Sequence, residues 1–189
     1  MLAAGSSSRL GTPKQLLNYN GNSLLQYVTG IAADAAANAV VIVLGANAHL
    51  LLPEIDKKKA DVVINNNWQQ GMASSIIAGL SFLLEKYSST DGVIFMMCDQ
   101  PFVNVSLLND LIITQRQTGK PIVASSYNNT IGAPALFHKS IFPELLNLTG
   151  DTGARMIIQR HITEVATVPF SKGNIDIDTA EDYEKLMNS

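Results

Sequence analysis

Short apolar runs alternate along the chain with segments whose apolar positions recur every three or four residues. Val40-Val41-Ile42-Val43-Leu44 ends at Gly45, and Val62-Val63-Ile64 ends in Asn65-Asn66-Asn67. Val93-Ile94-Phe95-Met96-Met97 ends at Cys98-Asp99, and Ile122-Val123-Ala124 is a fourth run. Continuous apolar runs of this kind suit strands covered on both faces. Between them, the segment from Ser23 to Ala37 opens on Ser23 with Gln26 three residues on, a capping-box pattern. Met72, Ile76, Leu80, Leu83 and Leu84 trace one helical stripe, and Leu108, Leu111 and Ile112 another. Tyr183, Leu186 and Met187 mark a short final helix. Pro143, soon after Ser140, suits the first turn of a short helix. The alternation predicts an α/β layered fold with a largely parallel sheet. No repeat, linker or low-complexity tract interrupts it, and 189 residues predict one domain over 1–189. Only Met1 to Ala4 precede Gly5, against the ~5–6 residues of a usual strand. The first strand is therefore expected either to be short or to have its start outside the chain.

Composition narrows the function classes. A chain 47% hydrophobic and 15% charged favours a compact enzyme-like domain over a disordered or coiled-coil one. The formal net charge of -3 argues against a broad basic face for nucleic acid and leaves room for a local basic pocket for phosphate. Cys98 is the single cysteine, so no intrachain disulfide forms, and a reduced, cytoplasmic setting is expected. No apolar run reaches the ~20 residues of a membrane helix, and the N-terminus lacks signal-peptide character. No membrane partner is expected. His49, His138 and His161 are too scattered for a zinc site, and Lys57-Lys58-Lys59 reads as a solvated loop.

Three segments carry candidate chemistry. Leu2-Ala3-Ala4-Gly5-Ser6-Ser7-Ser8-Arg9-Leu10-Gly11-Thr12-Pro13-Lys14 is rich in small residues, whose backbone N–H groups can hold anionic oxygens. Arg9 and Lys14 add positive charge, which suits a triphosphate; an ordinary glycine turn is the alternative. It is neither a Walker A loop nor a GxGxxG fingerprint. Asp99 follows an apolar run, where ligands of open α/β sheets bind, and is placed either to hold Mg²⁺ or to cap a turn. Asp176 and Asp178, in Asn174-Ile175-Asp176-Ile177-Asp178-Thr179, would share a face of a strand. Asp178 and Thr179 also suit the N-cap of the last helix.

Together with Asn67-Trp68-x-x-Gly71-Met72-x-x-Ser75-Ile76, Cys98-Asp99-Gln100-Pro101, Gly132-x-Pro134-x-Leu136-Phe137, Gly150-Asp151-x-Gly153-Ala154-Arg155 and Asp176-Ile177-Asp178-Thr179-x-Glu181-Asp182, the glycine loop resembles the molybdenum cofactor cytidylyltransferase family, within the MobA-like NTP transferases. The resemblance spans nearly the whole chain. It implies a Rossmann-like three-layer sandwich with a central mostly parallel sheet, of the nucleotide-diphospho-sugar transferase type. It implies transfer of CMP from CTP to the terminal phosphate of molybdopterin, with release of pyrophosphate. Arg9, Lys14 and Asp99 would be catalytic. Leu2, Ala3, Ala4, Gly5, Arg9, Lys14, Gly71, Met72 and Ser75 would bind nucleotide, and Asp99 with Asp178, rather than Asp176, would hold Mg²⁺. Gly132, Pro134 and Arg155 would line the acceptor pocket, although Gly132-x-Pro134 also reads as a strand-entry turn. Asp151 and Thr152 read equally as caps of a helix near Gly153, and Trp68 reads as a packing anchor ahead of a base-stacking platform. Alternatives are GTP as donor, methylerythritol phosphate or a sugar phosphate as acceptor, and a non-catalytic nucleotide sensor of the same fold.

Overall fold

The protein, described over residues 1–188 by a computed structural model, forms one sheet with helices on both faces. Strand β1 (Leu2–Ala3) pairs in parallel with β4 (Val41–Leu44), which pairs in parallel with β5 (Asp61–Ile64). Strand β6 (Gly92–Phe95) pairs antiparallel with β8 (Thr130–His138). Strand β7 (Ile122–Tyr127) lies between β8 and β9 (Val165–Pro169), antiparallel to the first and parallel to the second. The apolar run after β6 keeps going: Leu2 N–H donates to Met96 O at 2.9 Å and Cys98 N–H to Leu2 O at 3.1 Å, a parallel bridge between β1 and Met97. The order is therefore β5-β4-β1-β6-β8-β7-β9, with β8 running against its neighbours. The hairpin of β2 (Asn18–Tyr19) and β3 (Asn22–Ser23) stands apart.

Strand side chains alternate between two cores. Ala3, Ile42, Leu44, Met96, Cys98 and Val123 face α1 (Leu24–Asp34) and α4 (Val105–Thr118), with α7 (Ala180–Met187) adding Leu186; the short α2 (Ala48–Leu51) adds Leu51. Leu2, Val43, Phe95, Ile122 and Phe137 face α3 (Met72–Lys86), α5 (Phe142–Leu146) and α6 (Arg155–Arg160). This is the expected three-layer arrangement. Fully buried side chains such as Leu111, Leu80 and Phe137 each contribute about 1.5–3 kcal/mol of apolar burial.

Several local expectations are corrected. The first helix has its Ser23–Gln26 capping box but stops at Asp34, because Ala36 N–H is taken by Asn109 Oδ1 of α4 at 2.8 Å. Met72 leaves the buried stripe of α3: it sits in the first turn, exposed, while Ala73, Ile76, Gly79 and Leu80 face the sheet. The stretch from Ile175 to Asp178 is not a strand. It is tied to the strand end by Ile177 N–H donating to Asp99 O at 3.1 Å, while Ile175 N–H closes a turn onto Lys172 O at 3.2 Å. Gly132-x-Pro134 is no strand-entry turn but lies inside β8, where the register against β7 shifts between Ala124 and Ser125. Asp151 and Thr152 do not cap α6, whose first position follows Ala154 without a side-chain cap.

Candidate active site

At the carboxyl ends of β1 and of the run that follows β6 the chain opens a cavity of about 540 Å³. Leu2, Ala3, Ala4, Gly5, Lys14, Gly71, Met72, Ser75 and Asp99 all line it. Arg9 and Asp178 do not line it and join the site at its edge, Asp178 through Lys14 and Arg9 through Asp178. Trp68 and Asp151 complete the far side. Another cavity, of about 510 Å³, lies at the opposite ends of the strands among Ala35–Val41 and Tyr87–Met96. It gathers no converging charges, and ligands of open α/β sheets bind beyond the carboxyl ends. The first cavity is the candidate site.

The loop after β1 is shaped by a residue the sequence did not single out. Gln15 is buried, and its Nε2 donates to Ala3 O at 2.9 Å and Gly5 O at 3.2 Å. Ser7, with φ 55, accepts from Lys14 N–H through its hydroxyl at 3.0 Å. The loop thus folds back on its own start and points Lys14 inward. A Cβ built on Gly5 meets nothing within 4 Å, so open cavity lies above that backbone.

Lys14 Nζ is the electrostatic centre. It donates to Asp99 Oδ2 at 2.5 Å and to Asp178 Oδ1 at 2.9 Å. Arg9, largely exposed, reaches the other oxygen of Asp178 at 3.2 Å. Burial alone would lower the Lys14 pKa, but the Asp99 and Asp178 carboxylates outweigh it and raise it. The Lys14 hydrogen bond holds Asp178 below the usual carboxylate range, burial opposing it. Asp176 behaves differently. Loss of water around its carboxyl, with Asp99 and Asp178 nearby, raises its pKa to about 6.

The helix-capping reading of the C-terminal motif belongs to Thr179, not Asp178. Thr179 Oγ1 accepts from Asp182 N–H at 3.2 Å and the Asp182 carboxylate takes Thr179 N–H at 2.9 Å, a full capping box. That leaves the Asp178 side chain free to face Lys14. Asp182 also accepts from Asp178 N–H at 3.2 Å, tying the helix start to the site.

The Gly71–Ser75 loop forms the opposite wall. Gly71 has φ 100, and its position is crowded by Gly150 and Asp151 from the turn before α6. Ala73 N–H donates to Gly150 O at 3.2 Å, docking that turn on the loop. Asn65, buried at the end of β5, donates to the hydroxyls of Ser74 at 2.8 Å and Ser75 at 3.0 Å. Ser74 in turn donates to Gly71 O. Ser75 is left with its own O–H to offer. Trp68 is half-buried: its Cβ abuts the Gly45 backbone while the residue lines the cavity.

Gly132, Pro134 and Arg155 are not among the residues lining the cavity. Gly132 and Pro134 are buried in β8, and Arg155 donates to Thr130 Oγ1 at 3.1 Å on the surface. Gln15, Asn65 and Asp151 are the site residues that sequence reasoning missed. Asp151 stands in a sequence motif, but its local pattern reads only as a helix cap. A buried Gln or Asn looks like any loop polar residue until the fold buries it. Cys98 lines the cavity, yet burial drives its thiol pKa far up, so it offers no thiolate. His161 is engaged elsewhere, with Glu144 and Glu164.

Comparison with known proteins agrees with this geometry. The family model described as MobA-like NTP transferase domain matches residues 1–165. Nicotine blue oxidoreductase of Paenarthrobacter nicotinovorans is 29% identical over 99% of this chain and 94% of its own length. The molybdenum cofactor guanylyltransferase of Vibrio atlanticus is 30% identical over 77% of this chain and 70% of its own. Among solved structures, Rv0371c of Mycobacterium tuberculosis H37Rv superposes with a TM-score of 0.86 at 29% identity, covering 100% of this chain and 95% of that one. Its complex with manganese gives 0.83 at 27%, covering 100% and 96%.

Proposed function

The chain belongs to the family of MobA-like NTP transferase domains, and from that premise we propose that it moves CMP from CTP to the terminal phosphate of molybdopterin, releasing pyrophosphate. The observation that carries the reading is the convergence of Lys14, Asp99 and Asp178 beside the glycine loop, with Arg9 at its rim. Backbone N–H groups of the Ala4–Ser8 loop would cradle phosphate oxygens, and Arg9 and Lys14 would donate to them. Both reactants are anions, so these two cations offset their repulsion and stabilise charge developing on the pyrophosphate. An acceptor phosphate is already ionised near neutral pH, so no general base is needed. This fits a cavity lined by no histidine.

The residues also fit Mg²⁺. Two carboxylates already enclose one cation, the Lys14 ammonium, and offer the hard oxygen donors that Mg²⁺ prefers. No group of three His, Cys, Asp or Glu is placed to hold a metal among the described residues. Asp99 and Asp178 would therefore hold Mg²⁺ together with substrate phosphate and water. When bound, the metal adds Lewis-acid neutralisation of phosphate charge. The manganese complex of the Mycobacterium tuberculosis relative supports a divalent ion in this fold.

CTP is the favoured donor because Gly71 lets the backbone approach a base closely and Ser75 offers a hydroxyl on the same wall of the cavity. A second reading, GTP as donor, has its own support. The Vibrio atlanticus relative is a guanylyltransferase, and the Asp151 carboxylate on the cavity wall would suit the paired N–H donors of guanine. Pyrophosphate release from CTP, GTP, ATP and UTP at equal concentration, with molybdopterin as acceptor, decides between them. Clear preference for GTP would overturn the cytidylyl assignment, and release without dependence on molybdopterin would overturn the acceptor.

A further inference from the structure

The two cations assigned to the triphosphate are, in the free protein, already occupied. Lys14 bridges Asp99 and Asp178, and Arg9 takes the remaining oxygen of Asp178. The two carboxylates are paired directly with these two cations, with Asp176 as a further carboxyl nearby, in a site where Lys14 and Asp99 are both mostly shielded from water. A divalent cation entering between the same carboxylates would face the Lys14 ammonium at hydrogen-bond distance from both. The ammonium and a metal ion cannot share that position, and their mutual repulsion is strong where water is scarce.

We propose that Lys14 and a divalent cation are exchangeable occupants of the Asp99–Asp178 pair, so that the free protein resists metal until nucleotide draws Lys14 away. In the loaded site the charges re-pair: the metal neutralises the two carboxylates, while Lys14 and Arg9 turn to the triphosphate. Since each ligand removes the obstacle to the other, metal and nucleotide bind with positive, reciprocal coupling. The inference rests on the reading of Asp99 and Asp178 as metal ligands.

The test is a titration of nucleotide-free protein with Mn²⁺ alone, free ion being read by electron paramagnetic resonance and folding by thermal unfolding. Wild type should bind weakly. Lys14→Ala should bind on the order of tenfold tighter or more, a typical size for such coupling. Lys14→Arg, which keeps a charge able to bridge, should stay as weak as wild type. Lys14→Gln retains the stem and reads the same titration should the alanine variant unfold. Arg9→Ala removes equal charge from the rim only and should gain much less. An equal gain in Arg9→Ala, or no gain in Lys14→Ala, would overturn the exchange. Lys14→Ala/Asp99→Asn should lose the gained affinity; if it keeps it, Asp99 is no ligand and the metal assignment itself fails. If instead Asp99→Asn abolishes nucleotidyl transfer while Lys14→Ala leaves Mn²⁺ affinity unchanged, the exchange is wrong and the transferase reading stands.

Discussion

Gly71→Ala is the substitution through which the architecture of the nucleotide wall is most directly measured. Gly71 sits at φ 100 and ψ -179, a backbone region essentially reserved for glycine. Forcing an L-residue there costs about 1–3 kcal/mol. The added methyl also has no room: its ideal position is 2.5 Å from Gly150 O and 2.6 Å from Gly150 C, with Asp151 Oδ1 against it as well. Two of these atoms are backbone, so relief requires the Gly150–Thr152 turn to move, at about 1–3 kcal/mol of overpacking. The combined loss, about 2–6 kcal/mol, is a large part of a typical stability of ~5–15 kcal/mol. Gly119→Ala is the matched control. Gly119 ends α4 at φ 64, but a Cβ there meets nothing within 4 Å, so its cost is conformational alone, about 1–2 kcal/mol. Urea unfolding of both variants separates contact from conformation. Moving the turn also breaks the Ala73 to Gly150 bond and displaces Asp151, so nucleotide affinity, read by titration with CTP, should fall in Gly71→Ala and not in Gly119→Ala. A Gly71→Ala protein no less stable than Gly119→Ala, with unchanged nucleotide affinity, would refute the packing argument.

Asp99→Asn keeps shape and removes one charge opposite Lys14; transfer should fall at least a hundredfold with the protein still folded, and near-normal turnover at saturating Mg²⁺ would discard the role. Thr179→Ala removes the hydroxyl half of the capping box of α7, and the hydroxyl's own bond to Asp182, while its backbone N–H still donates to that carboxylate; it should cost about 1 kcal/mol in thermal unfolding. Because Asp182 also holds Asp178 N–H, the same variant should weaken metal-dependent transfer; full activity would show that Asp178 is positioned by Lys14 alone. His161 has its pKa raised by hydrogen bonds to Glu164 and Glu144, so the folded state favours its protonated form. Its contribution is fully present below the unfolded value near 6.5 and is lost as pH rises through the raised folded value. His161→Gln should thus destabilise by less than about 1 kcal/mol at pH 5.5, the pairs being partly solvated, and by less still at pH 9. A loss independent of pH would remove the charge argument.

Period and punctuation in the sequence determined the layered fold. The apolar runs Val40–Leu44 and Val93–Met97 suit strands covered on both faces, and the Ser23–Gln26 box fixes where a helix starts, because both signals are local. The glycine loop with Arg9 and Lys14, and the acidic residues Asp99 and Asp178, were also legible, as residue types suited to phosphate and metal. Their meeting was not. Lys14 and Asp178 lie 164 positions apart, and only the sheet order, with β1 between β4 and β6, brings the ends of those strands to one cavity. The choice between capping and site-facing roles at Asp178 was likewise tertiary, since Thr179 and Asp182 satisfy the helix and Lys14 supplies the competing partner. Gln15 and Asn65 gave no local signal because a polar side chain becomes structural only once burial removes water and obliges its hydrogen bonds to be made within the protein. Local sequence sets backbone preference over a few residues; which charges face one another is set by long-range packing.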